Sequence, residues 1–237
     1  AAMSGGGDSS VVAGVLLEQG HEVIGVHMKL HDADPDKAGH CCGLDDALDA
    51  RRVADRLGIP FHVMDLRQAF KKAVIDNFTK TYRAGGTPNP CIQCNGVLKF
   101  DVLLKRALAL GAEFLATGHY ARIGAGPSLM QAVDANKDQS YFLFPMNRVA
   151  LAKTLFPLGG MTKPEVREHA KRFGLVTASK PDSQDICFVP DGDHARVIQE
   201  AHPDTGGAGE IVDGSTGRVV GQHDGFWRFT IGQRRGL

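Results

Sequence analysis

The chain begins with a glycine-rich loop between a short apolar segment and a helical pattern. The loop reads Ser4-Gly5-Gly6-Gly7-Asp8-Ser9-Ser10, and the apolar residues of 11–17 that follow it are typical of a helix. Consecutive glycines let backbone N–H groups converge on an anion, and the N-terminus of the next helix adds partial positive charge. Ser9 or Ser10 can cap that helix and offer a hydroxyl to a phosphate. The segment predicts a strand, a phosphate-binding turn and a helix.

Two familiar phosphate loops do not fit this segment. No Lys-Ser or Lys-Thr pair follows the glycines, as a Walker A motif requires, and the spacing differs from G-x-G-x-x-G. The loop instead resembles the S-G-G-x-D-S loop of ATP pyrophosphatases, which split ATP into AMP and pyrophosphate. Flexible linkers have a similar composition, so the loop alone leaves both interpretations open.

Composition restricts the cellular setting more than the function. The 237 residues suit one domain plus a small module. Lys+Arg and Asp+Glu each number 27, so no overall charge points to a nucleic acid, although a local basic face would suffice. No apolar run approaches the ~18 residues of a membrane span, and no signal peptide is visible. Five cysteines without secretory features predict reduced thiols, so we expect a cytoplasmic protein without a membrane partner.

Short apolar segments alternate with amphipathic helical patterns along the first half of the chain. Strands are predicted over 22–28, 59–64 and 114–117, and helices over 45–57, 68–82 and 97–110. This alternation predicts an α/β, Rossmann-like fold, a parallel sheet with helices on both faces. Ligands bind such sheets at the carboxyl ends of the strands. The glycine loop, Met28 and Gly118-His119 follow predicted strands, so we expect them to share one edge.

A second distinctive segment is Thr87-Pro88-Asn89-Pro90-Cys91-Ile92-Gln93-Cys94-Asn95. Its prolines break helices, and a helix is predicted to start after it, at Gly96 or Val97. A thiol near a helix N-terminus has a lowered pKa and is a better nucleophile. The C-x-x-C spacing also fits a redox pair, cluster ligands or half of a zinc site, although no second such pair follows. Cys187, between apolar neighbours, has a simpler interpretation as a small buried hydrophobic residue.

Four further segments complete a series of six. They are Ala116-Thr117-Gly118-His119-Tyr120, Lys137-Asp138-Gln139-Ser140-Tyr141, Lys180 to Phe188 with its Asp182-Ser183-x-Asp185, and Thr230-Ile231-Gly232-Gln233-Arg234-Arg235-Gly236-Leu237. In this order the six segments resemble the tRNA-specific 2-thiouridylase family, whose members put sulfur on C2 of the wobble uridine. Each segment is weak alone, but six in order over essentially the whole chain are specific.

The resemblance implies a domain organisation. An ATP-pyrophosphatase catalytic domain of the adenine nucleotide α-hydrolase type is expected over 1–203, and the start of a small central β-containing domain over 204–237. Two β-like segments, 210–214 and 218–221, suggest a hairpin there. The family continues into a C-terminal β-barrel that this sequence does not include. We therefore expect the chain to bind ATP but to hold tRNA weakly, with an affinity that falls as salt rises.

The implied activity is that of a tRNA-uridine 2-sulfurtransferase that uses ATP and Mg²⁺. Adenylation turns the C2 oxygen of the uridine into a good leaving group, pyrophosphate leaves into the glycine loop, and sulfur then displaces AMP. Cys187 would receive a persulfide from a sulfur-carrier protein. Cys94 would be the nucleophile and the partner of Cys187 in a transient disulfide. Asp8 is the nearest candidate carboxylate for Mg²⁺.

The resemblance also assigns binding residues. Those for ATP are Ala2, Met3, Ser4, Gly5, Gly6, Gly7, Asp8, Ser9, Met28 and Gly118. Those for tRNA are Asn89, Pro90 and Cys91 at the target base, together with His119, Lys137, Asp138 and Gln139, while Lys99, Arg234 and Arg235 would supply local phosphate contacts. Simpler interpretations exist for some: Met28 and His119 as core residues, and 137–139 as a polar turn.

Several alternatives stay open. Cys91 could shape the base pocket or, with Cys94 and Cys187, hold an iron–sulfur cluster whose open iron carries sulfur. Cys41 and Cys42 could bind a metal with His40 or lie in a flexible loop. The chain could also be another pyrophosphate-loop synthetase, which would need no cysteine pair, or a non-catalytic RNA-binding module.

Overall fold

The computed structural model describes residues 1–31, 44–178, 180, 186–189 and 192–236. Its strands are β1 (Gly25–Lys29), β2 (Phe61–Asp65), β3 (Leu115–Ala116), β4 (Ala121–Gly124), β5 (Ser128–Gln131), β6 (Thr154–Leu155), β7 (Gly209–Val212) and β8 (Val219–His223). Its α-helices are α1 (Gly7–Glu18), α2 (Leu44–Leu57), α3 (Arg67–Phe70), α4 (Asp76–Arg83), α5 (Pro90–Gln93), α6 (Leu104–Ala109), α7 (Arg148–Ala152), α8 (Lys163–Arg172) and α9 (His194–Ala201). The π-helical stretches Lys71–Ile75 and Cys94–Leu103 join α3 to α4 and α5 to α6, and 3-10 turns lie at Ser140–Leu143, Pro157–Gly160 and Phe226–Arg228.

A parallel sheet runs through the centre of the α/β part. β1 pairs in parallel with β2, and β3 pairs in parallel with β6. The first residues of the chain lie between these two pairs, because the Ala2 N–H donates to the Ala116 carbonyl and the Met3 N–H donates to the Val26 carbonyl, each at 2.8 Å. The strand order is therefore β2, β1, residues 1–3, β3, β6. The predicted Rossmann-like α/β fold is confirmed.

Helices cover both faces of this sheet. Successive strand residues point to opposite sides, and Leu115 belongs to a cluster with Phe100 and Leu103, whereas Ala116 belongs to the cluster that contains α1. Helix α1 supplies Val11, Val12 and Ala13 to that second cluster, all fully buried. A Cβ at Gly14 would overlap the ring of Phe173, so this glycine permits close packing of α1 on the end of α8. The centre of the sheet is thereby buried on both sides, whereas His62 and Val63 of the outer strand β2 are exposed.

The predicted start of the cysteine helix at Gly96 or Val97 is wrong. Helix α5 begins at Pro90, and the π-helical stretch continues it from Cys94. The physical reason is capping, because the Ile92 N–H donates to Asn89 Oδ1 at 3.2 Å and Pro90 occupies the first helical position, where a missing N–H costs nothing. Both cysteines therefore lie inside the helical segment rather than before it.

The C-terminal part contains the predicted hairpin. β7 and β8 pair antiparallel, and Trp227, in the turn that follows, packs in a buried cluster with Phe78, Tyr82 and Ile198. The Ile231 N–H donates to Thr87 Oγ1 at 3.0 Å, which ties this part to the segment before the cysteines. The proposed boundary near residue 203 stays a prediction. Within the described ranges, no helix combines the length and the apolar character needed to cross a membrane.

Candidate nucleotide and thiol site

The glycine loop makes a tight turn into α1. Gly5 has a φ of +81°, which favours glycine, and a Cβ there would overlap the backbone of Asp46. The Ser4 N–H donates to Ser9 Oγ at 3.1 Å, and Ser10 Oγ donates to the Gly6 carbonyl at 2.7 Å. The serines therefore do not cap α1 as expected, and Gly6 caps it without a side chain. The first turn of α1 keeps N–H groups that can bind an anion.

Asp8 lies in this first turn and forms an ion pair across the fold. Lys163 Nζ donates to Asp8 Oδ1 at 2.6 Å, and the Tyr120 hydroxyl donates to the same oxygen at 3.2 Å. The Asp8 side chain is 29% exposed and that of Lys163 only 12%. Sequence reasoning assigned no role to Lys163, since no local pattern links the start of α8 to the glycine loop.

A second lysine fastens the loop to α2. Lys180 Nζ donates to the Gly5 carbonyl at 3.1 Å, to Asp46 at 2.6 Å and to Asp49 at 2.9 Å. Burial lowers the pKa of Lys180, but the hydrogen bonds to the two carboxylates outweigh this and hold its pKa above the usual value. Lys180 therefore stays charged at neutral pH. Its place in the fifth of the six segments was the only sequence signal for this contact.

The structure brings Gly118 against the glycine loop. A Cβ at Gly118 would lie 3.0 Å from the Ser9 nitrogen and 3.2 Å from the Asp8 carbonyl carbon, so the end of β3 contacts the start of α1 closely. Met3 is buried, and its backbone bonds within the protein, because its N–H donates to the Val26 carbonyl and its carbonyl lies 2.9 Å from His27 Nδ1. Ala2 and Met28 are partly buried and pack against the same core cluster. Met28 is therefore in part a core residue, as the simpler interpretation predicts, and the rest of its side chain is exposed.

The cysteine helix carries one exposed and one half-buried thiol. Cys91 is exposed in the first turn of α5, and Cys94 follows at the end of that helix. Desolvation raises the pKa of both thiols, and the positive charge of Lys99 lowers each pKa by less. The expected lowering of the thiol pKa is therefore wrong, because burial outweighs the positive charge of Lys99 at both thiols.

Cys187 and Cys94 contact the same apolar cluster. The buried members of this cluster all come from the first half of the chain: Leu30, Leu66, Phe70, Val74 and Leu98. Folding thus brings two cysteines that are distant in sequence to one place. The structure holds Cys91, Cys94 and Cys187 as reduced thiols. Cys187 is half-buried and packs against apolar side chains, which agrees with its interpretation as a small apolar residue.

The three cysteines do not form a metal-binding group in this structure. Over the described ranges, no three side chains of His, Cys, Asp or Glu gather in a way that could hold a metal ion. Cys91, Cys94 and Cys187 therefore do not fit an iron–sulfur cluster here. His40, Cys41 and Cys42 lie outside the described residues, as do Asp182, Ser183 and Asp185 of the fifth segment.

His119 is a neutral histidine held by four neighbours. Its Nδ1 lies 2.8 Å from Thr117 Oγ1 and its Nε2 lies 3.5 Å from Lys99 Nζ. An ammonium group only donates, so Nε2 accepts and Nδ1–H donates to the threonine. Burial, and then the Lys99 charge, hold the pKa of His119 well below its usual value. Its ring also contacts Phe100 and Phe156, as the core interpretation predicts.

Three other residues assigned to tRNA have partners within the protein. Asn89 caps α5, and Asp138 accepts from the Ala132 N–H at 2.8 Å and from Ser140 Oγ at 2.7 Å. Gln139 Oε1 accepts from the Tyr120 N–H at 3.0 Å, and the Gln139 N–H donates to the Tyr120 carbonyl at 2.8 Å. These contacts join 137–139 to the segment that contains Gly118 and His119. Asp138 and Gln139 thus stabilise the local backbone, as the polar-turn interpretation predicts.

We predict that Lys99→Met makes Cys94 less reactive near pH 8. Removing the positive charge takes away an interaction that lowers the Cys94 pKa, so the thiolate fraction should fall about threefold. The measurement is iodoacetamide alkylation against pH, followed by mass spectrometry in a Cys91→Ser background. Lys105→Met is the matched control, since Lys105 is exposed and pairs with Asp101. An alkylation midpoint that stays at the same pH in Lys99→Met contradicts this account of the thiol.

Comparisons with known proteins give one consistent result. The profile of the tRNA methyl transferase HUP domain matches residues 1–191, and that of the tRNA methyl transferase PRC-barrel domain matches residues 196–237. A Geobacter metallireducens protein named tRNA-specific 2-thiouridylase MnmA is 52% identical over 246 residues, which cover 100% of this chain and 67% of that protein. A Magnetococcus marinus protein of the same name is 54% identical over 243 residues, covering 100% and 68%. The chain spans about two thirds of the length of these curated relatives.

A solved structure is similar only at a low level. It is described as a predicted subunit of tRNA methyltransferase from Methanocaldococcus jannaschii, and it is 16% identical with a TM-score of 0.46. The match covers 93% of this chain and 94% of that chain. Similarity at this level carries no conclusion about function.

Proposed function

The chain belongs to the tRNA-specific 2-thiouridylase family, and on this basis we propose that it carries out ATP-dependent 2-thiolation of the wobble uridine of tRNA. The observation that carries the proposal is the contact of Cys94 and Cys187 with one apolar cluster. Sulfur relay requires two thiols close enough to form a disulfide, whereas another synthetase with a pyrophosphate loop would need no cysteine pair. An RNA-binding module would need neither the thiols nor the phosphate loop.

The first proposed step is adenylation of the uridine. The C2 oxygen attacks the α-phosphorus of ATP, the bond to the β-phosphate oxygen breaks, and pyrophosphate leaves. The turn at Gly5, the N–H groups at the start of α1 and the nearby Lys163 give a place for that pyrophosphate. Ala2, Met3, Met28 and Gly118 would contact the rest of the nucleotide. The adenylated oxygen is then a far better leaving group than an oxo group.

The ligand set near the loop fits Mg²⁺ in its usual protein mode. Mg²⁺ is commonly held by one or two carboxylates together with substrate phosphates, and Asp8 offers such a carboxylate beside the loop. When bound, Mg²⁺ would neutralise charge on the phosphates. Asp8 would have to share its carboxylate between the ion and Lys163.

The second proposed step is sulfur transfer. Cys187 accepts the terminal sulfur of a persulfide from a sulfur-carrier protein. The Cys94 thiolate then attacks the Cys187 sulfur, the released hydrosulfide adds to C2, and AMP leaves. A Cys94–Cys187 disulfide remains, and an external dithiol must reduce it before the next turnover. Because burial raises the Cys94 pKa, this thiol is mostly protonated at neutral pH until it loses its proton for the attack.

The third element of the proposal is tRNA recognition. The wobble base must leave the anticodon stack to reach both ATP and the thiols. Asn89, Pro90 and Cys91 would meet this base, with His119 and residues 137–139 beside them. The exposure of Cys91 supports a contact with RNA rather than a role as nucleophile. We place the activity in the cytoplasm, where thiols stay reduced.

Pyrophosphate release tests this proposal against its two alternatives. We expect release from ATP that depends on added tRNA, because the uridine oxygen is the acceptor of AMP. Release without tRNA would instead favour another synthetase, and no release at all would favour a non-catalytic module. The measurement is a coupled pyrophosphate assay with and without tRNA, with a transcript whose wobble uridine is replaced by cytidine as the control.

A further inference from the structure

An exposed aromatic patch lies next to the cysteine helix and has no role in the steps above. We define the aromatic patch as Tyr141 and Phe144, which are 66% and 64% exposed and whose ring centroids are 6.4 Å apart. Two large rings in mutual contact with water on most of their surface differ from the single exposed apolar residues that any protein carries. Such an exposed pair of rings is typical of a surface that binds a ligand or a partner.

The patch is fixed relative to Cys94. The side chain of Asn95, the residue after Cys94, is buried, and its Nδ2 donates to the Phe142 carbonyl at 3.2 Å. A Cβ on Gly96 would lie 3.3 Å from Pro145 Cβ, so the two backbones also pack closely. One hydrogen bond and one close contact thus hold the patch beside the thiol helix.

Charge around the patch favours a polyanion. The segments 89–100 and 139–148, which carry the cysteine helix and the patch, contain Lys99 and Arg148 but no acidic residue, although the whole chain has equal numbers of acids and bases. The acids that border these segments have partners: Asp101 pairs with Lys105 at 2.5 Å, and Asp138 accepts two hydrogen bonds. Aromatic side chains interspersed with cations are the arrangement that binds single-stranded nucleic acid, because bases stack on rings while phosphates meet cations.

We propose that Tyr141 and Phe144 stack on unpaired bases of the anticodon loop that flank the target uridine. The proposal rests on the proposed function, since the target base must enter beside Cys94. Stacking of the neighbours would hold the loop open while the uridine is turned out. A protein partner on the same patch is the competing occupant, but two segments that contain Lys99 and Arg148 and no acid suit RNA better.

The test compares variants in binding to an anticodon stem-loop RNA. We expect Tyr141→Ala and Phe144→Ala each to lower the affinity about tenfold, as the loss of one stacked base does. Tyr141→Phe keeps the ring and should bind as the original chain does. Leu110→Ala is the matched control, since Leu110 is 77% exposed at the end of α6. The measurements are fluorescence anisotropy with labelled RNA and 2-aminopurine quenching beside the target position.

Four readouts separate the possible outcomes: RNA affinity, its salt dependence, ATP affinity and pyrophosphate release. ATP affinity and the salt dependence of RNA binding should be unchanged in both alanine variants, because neither change removes a phosphate contact. Unchanged RNA affinity in both alanine variants overturns the patch proposal, and it leaves the proposed function intact if tRNA-dependent pyrophosphate release persists. Failure of the original chain to bind the stem-loop at low salt overturns both proposals.

Discussion

Replacing Cys187 by serine is expected to abolish thiolation of tRNA while tRNA-dependent pyrophosphate release continues. A serine oxygen cannot carry the terminal sulfur, so the loss should be about a thousandfold or more, as for other covalent catalytic groups. Cys187 is half-buried among apolar side chains, and serine is close to cysteine in size, so the fold should survive. The measurement is transfer of labelled sulfur from the donor to protein and to tRNA.

Two companion variants make this result specific. Cys94→Ser should accept the labelled sulfur on Cys187 but fail to pass it to tRNA. Cys91→Ser, in the same helix as Cys94, should still pass labelled sulfur from Cys187 to tRNA, because Cys91 is proposed to contact the base and not to carry sulfur. Thiolation at the original rate by Cys187→Ser would mean that sulfur does not pass through this residue.

Replacing Asp8 by alanine is expected to lower tRNA-dependent pyrophosphate release by about a hundredfold to a thousandfold, the range typical of a lost electrostatic group in an active site. The change removes the candidate Mg²⁺ ligand and leaves Lys163 without its partner at 2.6 Å. Asp8 is partly exposed at the start of α1, so the protein should remain folded. The pyrophosphate assay and a thermal unfolding curve give the two measurements.

Glu18→Gln provides the control at the other end of the same helix. Glu18 also forms an ion pair across the fold, with Arg172, but it lies far along α1 from the glycine loop. This variant should release pyrophosphate at the original rate. Pyrophosphate release by Asp8→Ala at that same rate would remove Asp8 from the nucleotide site.

The sequence allows much of the fold to be predicted. Alternation of strand and helix patterns identifies the parallel sheet, and helix α2 is observed within one residue of its predicted span. The order of the strands was not predictable in the same way. Residues 1–3 complete the sheet through three backbone hydrogen bonds with β1 and β3, and too few residues precede the loop to show any period.

The start of the cysteine helix shows how one local signal can be misread. Pro88 and Pro90 indicate a break in a helix, yet Asn followed by Pro is also a helix start, with Asn89 as the cap and Pro90 as the first helical residue. The thiol pKa was misjudged for another reason. The helix N-terminus is visible in sequence, whereas the burial that raises the Cys94 pKa comes from tertiary packing.

Contacts between distant charges could not be predicted either. Lys163 with Asp8, and Lys180 with Asp46 and Asp49, join residues from opposite ends of the chain. Hydrophobic periodicity determines which side chains face the core but carries no information on which charges meet across it. The residues that would bind phosphate could therefore be predicted from the glycine loop, while the lysines that hold its carboxylate and its backbone required the structure.

The most direct test of the account is nucleoside mass spectrometry of tRNA. Unmodified tRNA is incubated with the protein, ATP, Mg²⁺ and a persulfide donor at low salt, then digested to nucleosides. The account predicts 2-thiouridine from the wobble position, one AMP and one pyrophosphate for each sulfur, and no product when ATP is left out. Thiolation without ATP, or the absence of 2-thiouridine at saturating ATP and donor, would contradict it.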